Sequence, residues 1–382
     1  MNNAGFGGYG EFHTRDIEKE KESAIKKGIP YVHSRRSSEM TDTDIQAALA
    51  EGKPYAIRFK MMDDRVITFM DLVRGEIRFD CSLLSDFVLM KSDGTPSYNF
   101  AVVVDDAAMA ITHVIRGEDH ISNMPRQLAL YEALSLPAPQ FGHLPMILGP
   151  DKSKLSKRHG ATAITDYRDR GFLSEAFMNY LALLGWSPDG EQEILSSDEL
   201  IKQFSLDRVH KSGAVFDVQK LTWMNGQYLR KLSVDVLYSL VMRYVSADFS
   251  QIMQGYDLKK QHLAVAAIQD NLDVLSDVRN YLDVFFESDS AYLDLVKDQA
   301  FTADQCLVLK TFLELLEQSA ADSMDDYNAL LDAVCKKLDL GKGKVFKPIR
   351  LALTGRGSGS NIGALLAFFE DEVISKRLND CY

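Results

Sequence analysis

Between Tyr55 and Lys91 the chain sets short apolar runs between polar turns. YAIRFK, VITFMDLV, EIRFD and DFVLMK are rich in β-branched and aromatic residues, which predicts the strands of an antiparallel meander. Ahead of them, residues 15 to 27 have a charged, helix-forming composition, and TDTDIQAALAEG (Thr41 to Gly52) places an N-cap residue before an apolar face and ends on glycine. Beyond them, AVVVDD and ITHVIRG are compact apolar runs, followed by a helical stretch from Ser122 to Leu134 and by FGHLPMIL. Continuous apolar strands joined by helices predict a buried parallel sheet. Amphipathic helices are expected at Ser174 to Gly185 and Ser197 to Phe204, after which the pattern is helical to the end. Tyr327, Leu330, Leu331, Val334 and Leu338 make one stripe at helical spacing, and Cys306, Leu309, Leu313 and Leu316 make another. Both read as core, as do Trp186 and Trp223.

The 382 residues, 46% of them hydrophobic, are enough for several domains with real cores. No apolar run reaches membrane-spanning length and no signal peptide opens the chain, so the expected compartment is the cytosol or an organelle matrix. Cys81, Cys306, Cys335 and Cys381 are scattered, with no CxxC pair, and read as reduced thiols rather than zinc ligands. The net charge of −12 is unevenly placed: Asp270 to Asp332 holds fifteen acidic and three basic side chains, so the remainder is neutral on average. Lys336, Lys337, Lys342, Lys344, Lys347, Arg350 and Arg356 then face Asp339 alone between Lys336 and Ser358. Such a stripe can bind phosphates whatever the global sum, or merely solubilise a surface.

The richest chemistry lies in KLSKRHG (Lys154 to Gly160), directly after GPDKS. Lys152, Lys154, Lys157 and Arg158 fall within eight positions among small and hydroxyl residues. Positioned lysines stabilise charge that shifts when pyrophosphate leaves a nucleotide, although a charge run by itself is usually a solvated loop. Arg116, in RGEDH, could grip a carboxylate through two parallel hydrogen bonds, or pair with Glu118 or Asp119. Asp105 and Asp106 follow a run read as a strand, where neighbours point to opposite faces, so a capping role is preferred to metal ligation. His113 and His120 read as structural. Gly5, Gly7, Gly8 and Gly10 follow no predicted strand, and residues 1 to 14 are expected to be a flexible tail.

KLSKRHG resembles the KMSKS signature of class I aminoacyl-tRNA synthetases, in the form found in bacterial-type glutamyl-tRNA synthetases. Segments Ser92 to Asp106, Ile111 to Leu134, Phe141 to Ala161, Gly171 to Pro188, Ala214 to Tyr228 and Lys347 to Gly355 are similar to that family in the same order. Glutaminyl relatives end in β-barrels and short glutamyl-queuosine enzymes lack the helical end, so the glutamyl branch is the better match.

The resemblance implies a multidomain α/β plus all-α protein. Residues 1–95 would be a connective, acceptor-stem-binding region; 96–160 the second half of a Rossmann-like catalytic domain; 161–232 a stem-contact domain; and 233–382 a helical anticodon-binding domain. It implies ATP with Mg2+, glutamate and tRNA(Glu) as partners, without protein-bound zinc. Lys154 and Lys157 would be catalytic. Lys157, Ser156, Leu155 and His143 would meet ATP, with His159 nearby; Arg116, Tyr98 and Asp119 would hold glutamate; and the seven cations from Lys336 to Arg356 would bind tRNA. One departure stands out: no HIGH-like segment precedes Tyr98. The expectation is therefore that residues 1 to 382 alone show little ATP–pyrophosphate exchange, the N-terminal half being absent through truncation, a misplaced start or its location on a separate polypeptide. A catalytically inert tRNA-binding paralogue is the alternative.

Overall fold

The computed structural model describes residues 7–12, 14–28, 40–160, 163–286, 292, 295–296 and 299–381. Gly5, and Glu287, Asp289, Asp294, Lys297 and Asp298 of the acidic segment, lie outside them. The chain divides into two compact units: residues 1–154 with 184–187 and 203–215, and residues 155–183 with 188–202 and 216–382.

The first unit is mixed α/β. Its elements run β1 (Gly7–Glu11), α1 (Thr14–Lys27), α2 (Asp42–Ala50), β2 (Ala56–Lys60), β3 (Val66–Asp71), β4 (Gly75–Asp80), β5 (Phe87–Met90), α3 (Tyr98–Ala108), β6 (His113–Gly117), α4 (Met124–Ala133), β7 (Gln140–Leu144), β8 (Ile147–Leu148) and β9 (Ala214–Val215). Helix α2 begins as its sequence dictates: the Thr41 side chain accepts from Asp44 N, Asp44 returns the bond, and Gly52 follows at φ +66°.

The four expected strands of the meander do form, but in two sheets. One has the order β1-β2-β5 and the other β4-β3-β7-β6. Only β3 and β4 pair as a hairpin, because β3 also takes β7 as a parallel neighbour. The expected flexible tail is corrected over part of its length, residues 1–6 and 13 lying outside the described residues: Gly7–Glu11 is a strand paired antiparallel along all of β2. A strand with little side-chain bulk is drawn in by the open hydrogen-bonding edge of β2, a partner invisible to local composition.

AVVVDD is a second correction. Its valines suggest a strand, yet they lie in α3, where Phe100, Val103 and Ala107 share one helical face. Val103 is fully buried, and Phe100 and Ala107 pack against the same core. Tertiary packing of that stripe outweighs the β preference of a valine run, which is itself mostly a packing preference. The core under both sheets joins Phe59, Met61, Ile67, Phe141, Met124, Leu130 and Tyr131. Strands β6 and β7 are parallel and linked through α4, giving the expected βαβ unit, and β3 extends the parallel set.

The second unit is helical among the described residues: α5 (Ile164–Asp169), α6 (Ser174–Leu183), α7 (Ser197–Gln203), α8 (Val218–Arg230), α9 (Val234–Tyr244), α10 (Ala247–Gln254), α11 (Leu258–Ile268), α12 (Val278–Phe286), α13 (Ala303–Glu317), α14 (Met324–Leu338), α15 (Lys342–Thr354), α16 (Ile362–Phe368) and α17 (Asp371–Asn379). Both leucine stripes enter one core, with Leu309, Leu331 and Val334 fully buried. Buried Asn179 and Asn225 tie the start of this unit by accepting from Leu195 N at 2.9 Å and Leu173 N at 2.8 Å. Trp186, in the first unit, is buried as expected, whereas Trp223 on α8 is 46% exposed. The periodicity of α8 turns Leu221, Met224 and Asn225 inward, and Trp223 falls on the opposite face.

Candidate functional site

Three parallel strands end side by side, and each delivers one polar residue. Asp71 closes β3, His143 is next to last in β7, and Arg116 is next to last in β6, paired in register with His143. The carboxyl ends of parallel strands are where such sheets place ligands.

Arg116 is half-buried. Its Nε donates to His143 Nε2 at 3.2 Å, and its Nη2 donates to Gln127 Oε1 at 2.9 Å with Met124 Sδ at 3.0 Å. Burial draws its pKa below the ordinary value, while the Tyr98 hydroxyl and the Asp106 carboxylate work in the opposite sense. Neither acid of RGED neutralises it. Glu118 pairs with Arg74 and accepts from Met146 N at 2.8 Å, and Asp119 takes Lys154 at 2.7 Å. The hydrogen-bond partners of this guanidinium are thus uncharged groups, and a guanidinium so held is able to accept an anion.

Tyr98 opens α3 and is 55% exposed beside this guanidinium. Asp105 and Asp106, being helical rather than in a strand, diverge by about 100°. Asp106 receives the Tyr131 hydroxyl at 3.5 Å, and Asp105 is exposed. His143, expected at ATP, is fully buried, with Nδ1 at 2.6 Å from Asp71 Oδ2 and Nε2 engaged by Arg116. Burial lowers its pKa, against the Asp71 bond that raises it. For Asp71, burial pushes the carboxyl up, but bonds from His143, Arg74 and Val73 outweigh it and leave the pKa lowered.

The lysine loop is built by turn chemistry. Asp151 Oδ1 accepts from Ser153 N and Oγ at 2.9 and 2.7 Å, Lys152 adopts φ +60°, and Lys154 bridges back to Leu148. Its partner Asp119 is exposed, and the hydrogen bond from Lys154 lowers its pKa. Leu155, Ser156 and Lys157 belong to the second unit. There Ser156 N donates to His159 Nδ1 at 3.1 Å, and a short turn over Lys157–His159 leaves Lys157 exposed. His113 contacts Thr112 Oγ1 at 3.0 Å, and His120 contacts Asn123 Nδ2 at 3.4 Å and lies tilted against the Tyr98 ring, with centroids 6.2 Å apart. Among the described residues no cluster of side chains could hold a metal ion, and no helix is long and apolar enough to cross a membrane.

The basic stripe spans the end of α14 and all of α15. Lys337 pairs with Glu314 at 3.0 Å and Lys342 with Asp332 at 2.8 Å, while Lys336, Lys344 and Lys347 are exposed. Lys342 and Lys344 occupy the first turn of α15, where the helix dipole disfavours cations. Arg350 and Arg356 line a cavity of about 320 Å³ with Asn280, Tyr281, Thr354 and Ser360. Burial lowers the Arg350 pKa, and its Nη2 donates to Ser360 O at 3.2 Å. Asp71, Gln127 and Arg74 were missed by sequence reasoning, since nothing local distinguishes a strand-end aspartate that caps its own turn from one that also orients a histidine.

A strand-end anion site, a lysine loop and a helical bundle bearing cations are features of a nucleotide-dependent tRNA-binding enzyme. Residues 7–223 match the family model of the catalytic domain of class I tRNA synthetases (E and Q), and residues 222–382 match that of an anticodon-binding domain. The glutamate–tRNA ligase of Aquifex aeolicus is 43% identical over 368 residues, covering 95% of this chain and 76% of that relative; the one from Heliobacterium modesticaldum is 43% identical over 360 residues, covering 92% and 71%. A crystal structure of a glutamate tRNA ligase from Elizabethkingia meningosepticum in complex with its amino acid superposes with a TM-score of 0.81 at 31% identity, covering 98% of this chain and 79% of that one. The chain belongs to the glutamate–tRNA ligases.

Proposed function

We propose that this chain acts in the ATP-dependent attachment of glutamate to tRNA(Glu). The observation that carries the reading is Arg116, a half-buried guanidinium presented beside Tyr98 at a strand end with neutral groups as its hydrogen-bond partners. In this reading Arg116 and Tyr98 hold the glutamate side chain, with Asp119 nearby. The α-carboxylate attacks the α-phosphate of ATP, pyrophosphate leaves, and a tRNA ribose hydroxyl then takes the glutamyl group. Lys154 and Lys157 stabilise the departing pyrophosphate, Ser156 and Leu155 line the nucleotide's path, Mg2+ accompanies the phosphates, and positioning carries much of the rate. His143 acts through Arg116 instead of meeting ATP.

Residues 1–95, 96–160, 161–232 and 233–382 are assigned as connective, catalytic, stem-contact and anticodon-binding regions, working in the cytoplasm. Lys336, Lys337, Lys342, Lys344, Lys347, Arg350 and Arg356 are assigned to tRNA. Strand β6 has only β7 as a neighbour in its sheet among the described residues, and its Ile115 is 48% exposed. That edge is open to a further strand.

Calorimetry with glutamate and glutamine tests the reading. Glutamate binding that Arg116→Ala abolishes supports it. Equal binding of glutamine, or an Arg116→Ala variant that binds as well as the parent, overturns it.

A further inference from the structure

We propose that His143, oriented by Asp71, is a positioning residue that sets the aim of the Arg116 guanidinium toward a ligand carboxylate. The ligand part of this inference rests on the assignment of Arg116 to glutamate made above.

Proton positions along the chain of contacts follow from one another. An ionised Asp71 can only accept, and its Oδ2 lies 2.6 Å from His143 Nδ1 while its Oδ1 is filled by the backbone N–H groups of Val73, Arg74 and His143. Nδ1 therefore carries the proton. In a neutral imidazole the lone pair then sits on Nε2, where Arg116 Nε–H meets it at 3.2 Å. The reverse tautomer, or the imidazolium, would set a donor against a donor.

A second anchor acts on the other side of the guanidinium. Gln127, 1% exposed, accepts from Arg116 Nη2 with Oε1 and donates from Nε2 to Asn99 Oδ1 at 3.0 Å, so its amide orientation is fixed by both partners. Two points fix a planar group. With Nε and Nη2 engaged from within the protein, and Tyr98 hydrogen-bonded to the same guanidinium, we assign the remaining Nη1 to the ligand. All four residues sit on adjoining elements, with Asp71, His143 and Arg116 on neighbouring parallel strands, so the aim is set by sheet register rather than by a loop.

The test combines nitrogen-15 spectra of the histidines, hydrogen exchange at Arg116 Nε, and glutamate calorimetry, all on the full chain at neutral pH. The inference expects the Nδ1–H tautomer at His143 and slow exchange at Arg116 Nε. Asp71→Asn should mix the tautomers. His143→Leu should speed the exchange and weaken glutamate about tenfold, and His143→Gln, which keeps an acceptor near Nε2, should restore most of both. An Nε2–H tautomer in the parent, or exchange unchanged in His143→Leu, overturns the relay. Where His143→Leu does not fold, the parent spectra and Asp71→Asn still decide it. Failure of the parent to prefer glutamate over glutamine overturns the ligand assignment, while tautomer and exchange judge the relay independently.

Discussion

Arg116 gains its chemistry from what it lacks. The two acids beside it in sequence are each taken by another cation, Glu118 by Arg74 and Asp119 by Lys154, so the local ion pair that RGEDH suggests does not form. Arg116→Lys keeps the charge but loses the fork, and glutamate binding should fall about tenfold or more in calorimetry. The Asp71–His143 pair makes a pH prediction at the same scale. His143 has a folded pKa below its ordinary 6.5, so its stabilisation is full above that value and is lost as pH falls from 6.5 toward the folded value. Asp71, lowered from 3.8, contributes above that value and loses its contribution below it. Denaturant melts should therefore show stability declining as pH drops through 6.5, with a second decline below 3.8 to which Asp44, Asp80, Asp93, Asp119 and Asp326 also contribute and which Asp71→Asn makes shallower. Stability rising between pH 6.5 and 5 would count against it. The identity of Arg116 as a candidate was legible from its motif; its supporting pair was not, because Asp71 and His143 are 72 residues apart and meet only when β3 and β7 become neighbours.

Elements followed the periodicity wherever a stripe had one partner to face. The two leucine stripes became α13 and α14, and their buried faces meet in one core. Leu331→Ala, at a fully buried position there, should cost about 2–5 kcal/mol in thermal or chemical denaturation. Turn positions are as exacting. Gly171 sits at φ +85°, and an added Cβ would lie 2.6 Å from Leu275 N, which is backbone and cannot yield cheaply. Gly171→Ala should destabilise by roughly 2 kcal/mol or more, read as a lowered Tm. The strand reading of AVVVDD failed because a valine run carries no period, leaving the choice to the surface it must cover. The tail reading of Gly7–Glu11 failed because strand pairing is a property of two segments.

For the whole molecule, charge placement outweighs charge sum. A chain of net −12 carries exposed Lys336, Lys344 and Lys347, and a cavity lined by Arg350 and Arg356, on the helical bundle. Filter-binding of tRNA(Glu) should weaken steeply with added salt, and Lys344→Glu with Lys347→Glu should reduce affinity at least tenfold while the melting curve stays near the parent's. Unchanged affinity would return the stripe to a solubilising role.

The sequence by itself determined the order of motifs, the helical end, the βαβ unit and the class of chemistry, because these depend on local spacing and on residue types that have few other uses. Only the tertiary structure decided which strands share a sheet, that His143 is buried against Arg116 and Asp71, and which cations are already paired. Those outcomes depend on long-range register and on desolvation, which a single segment does not encode.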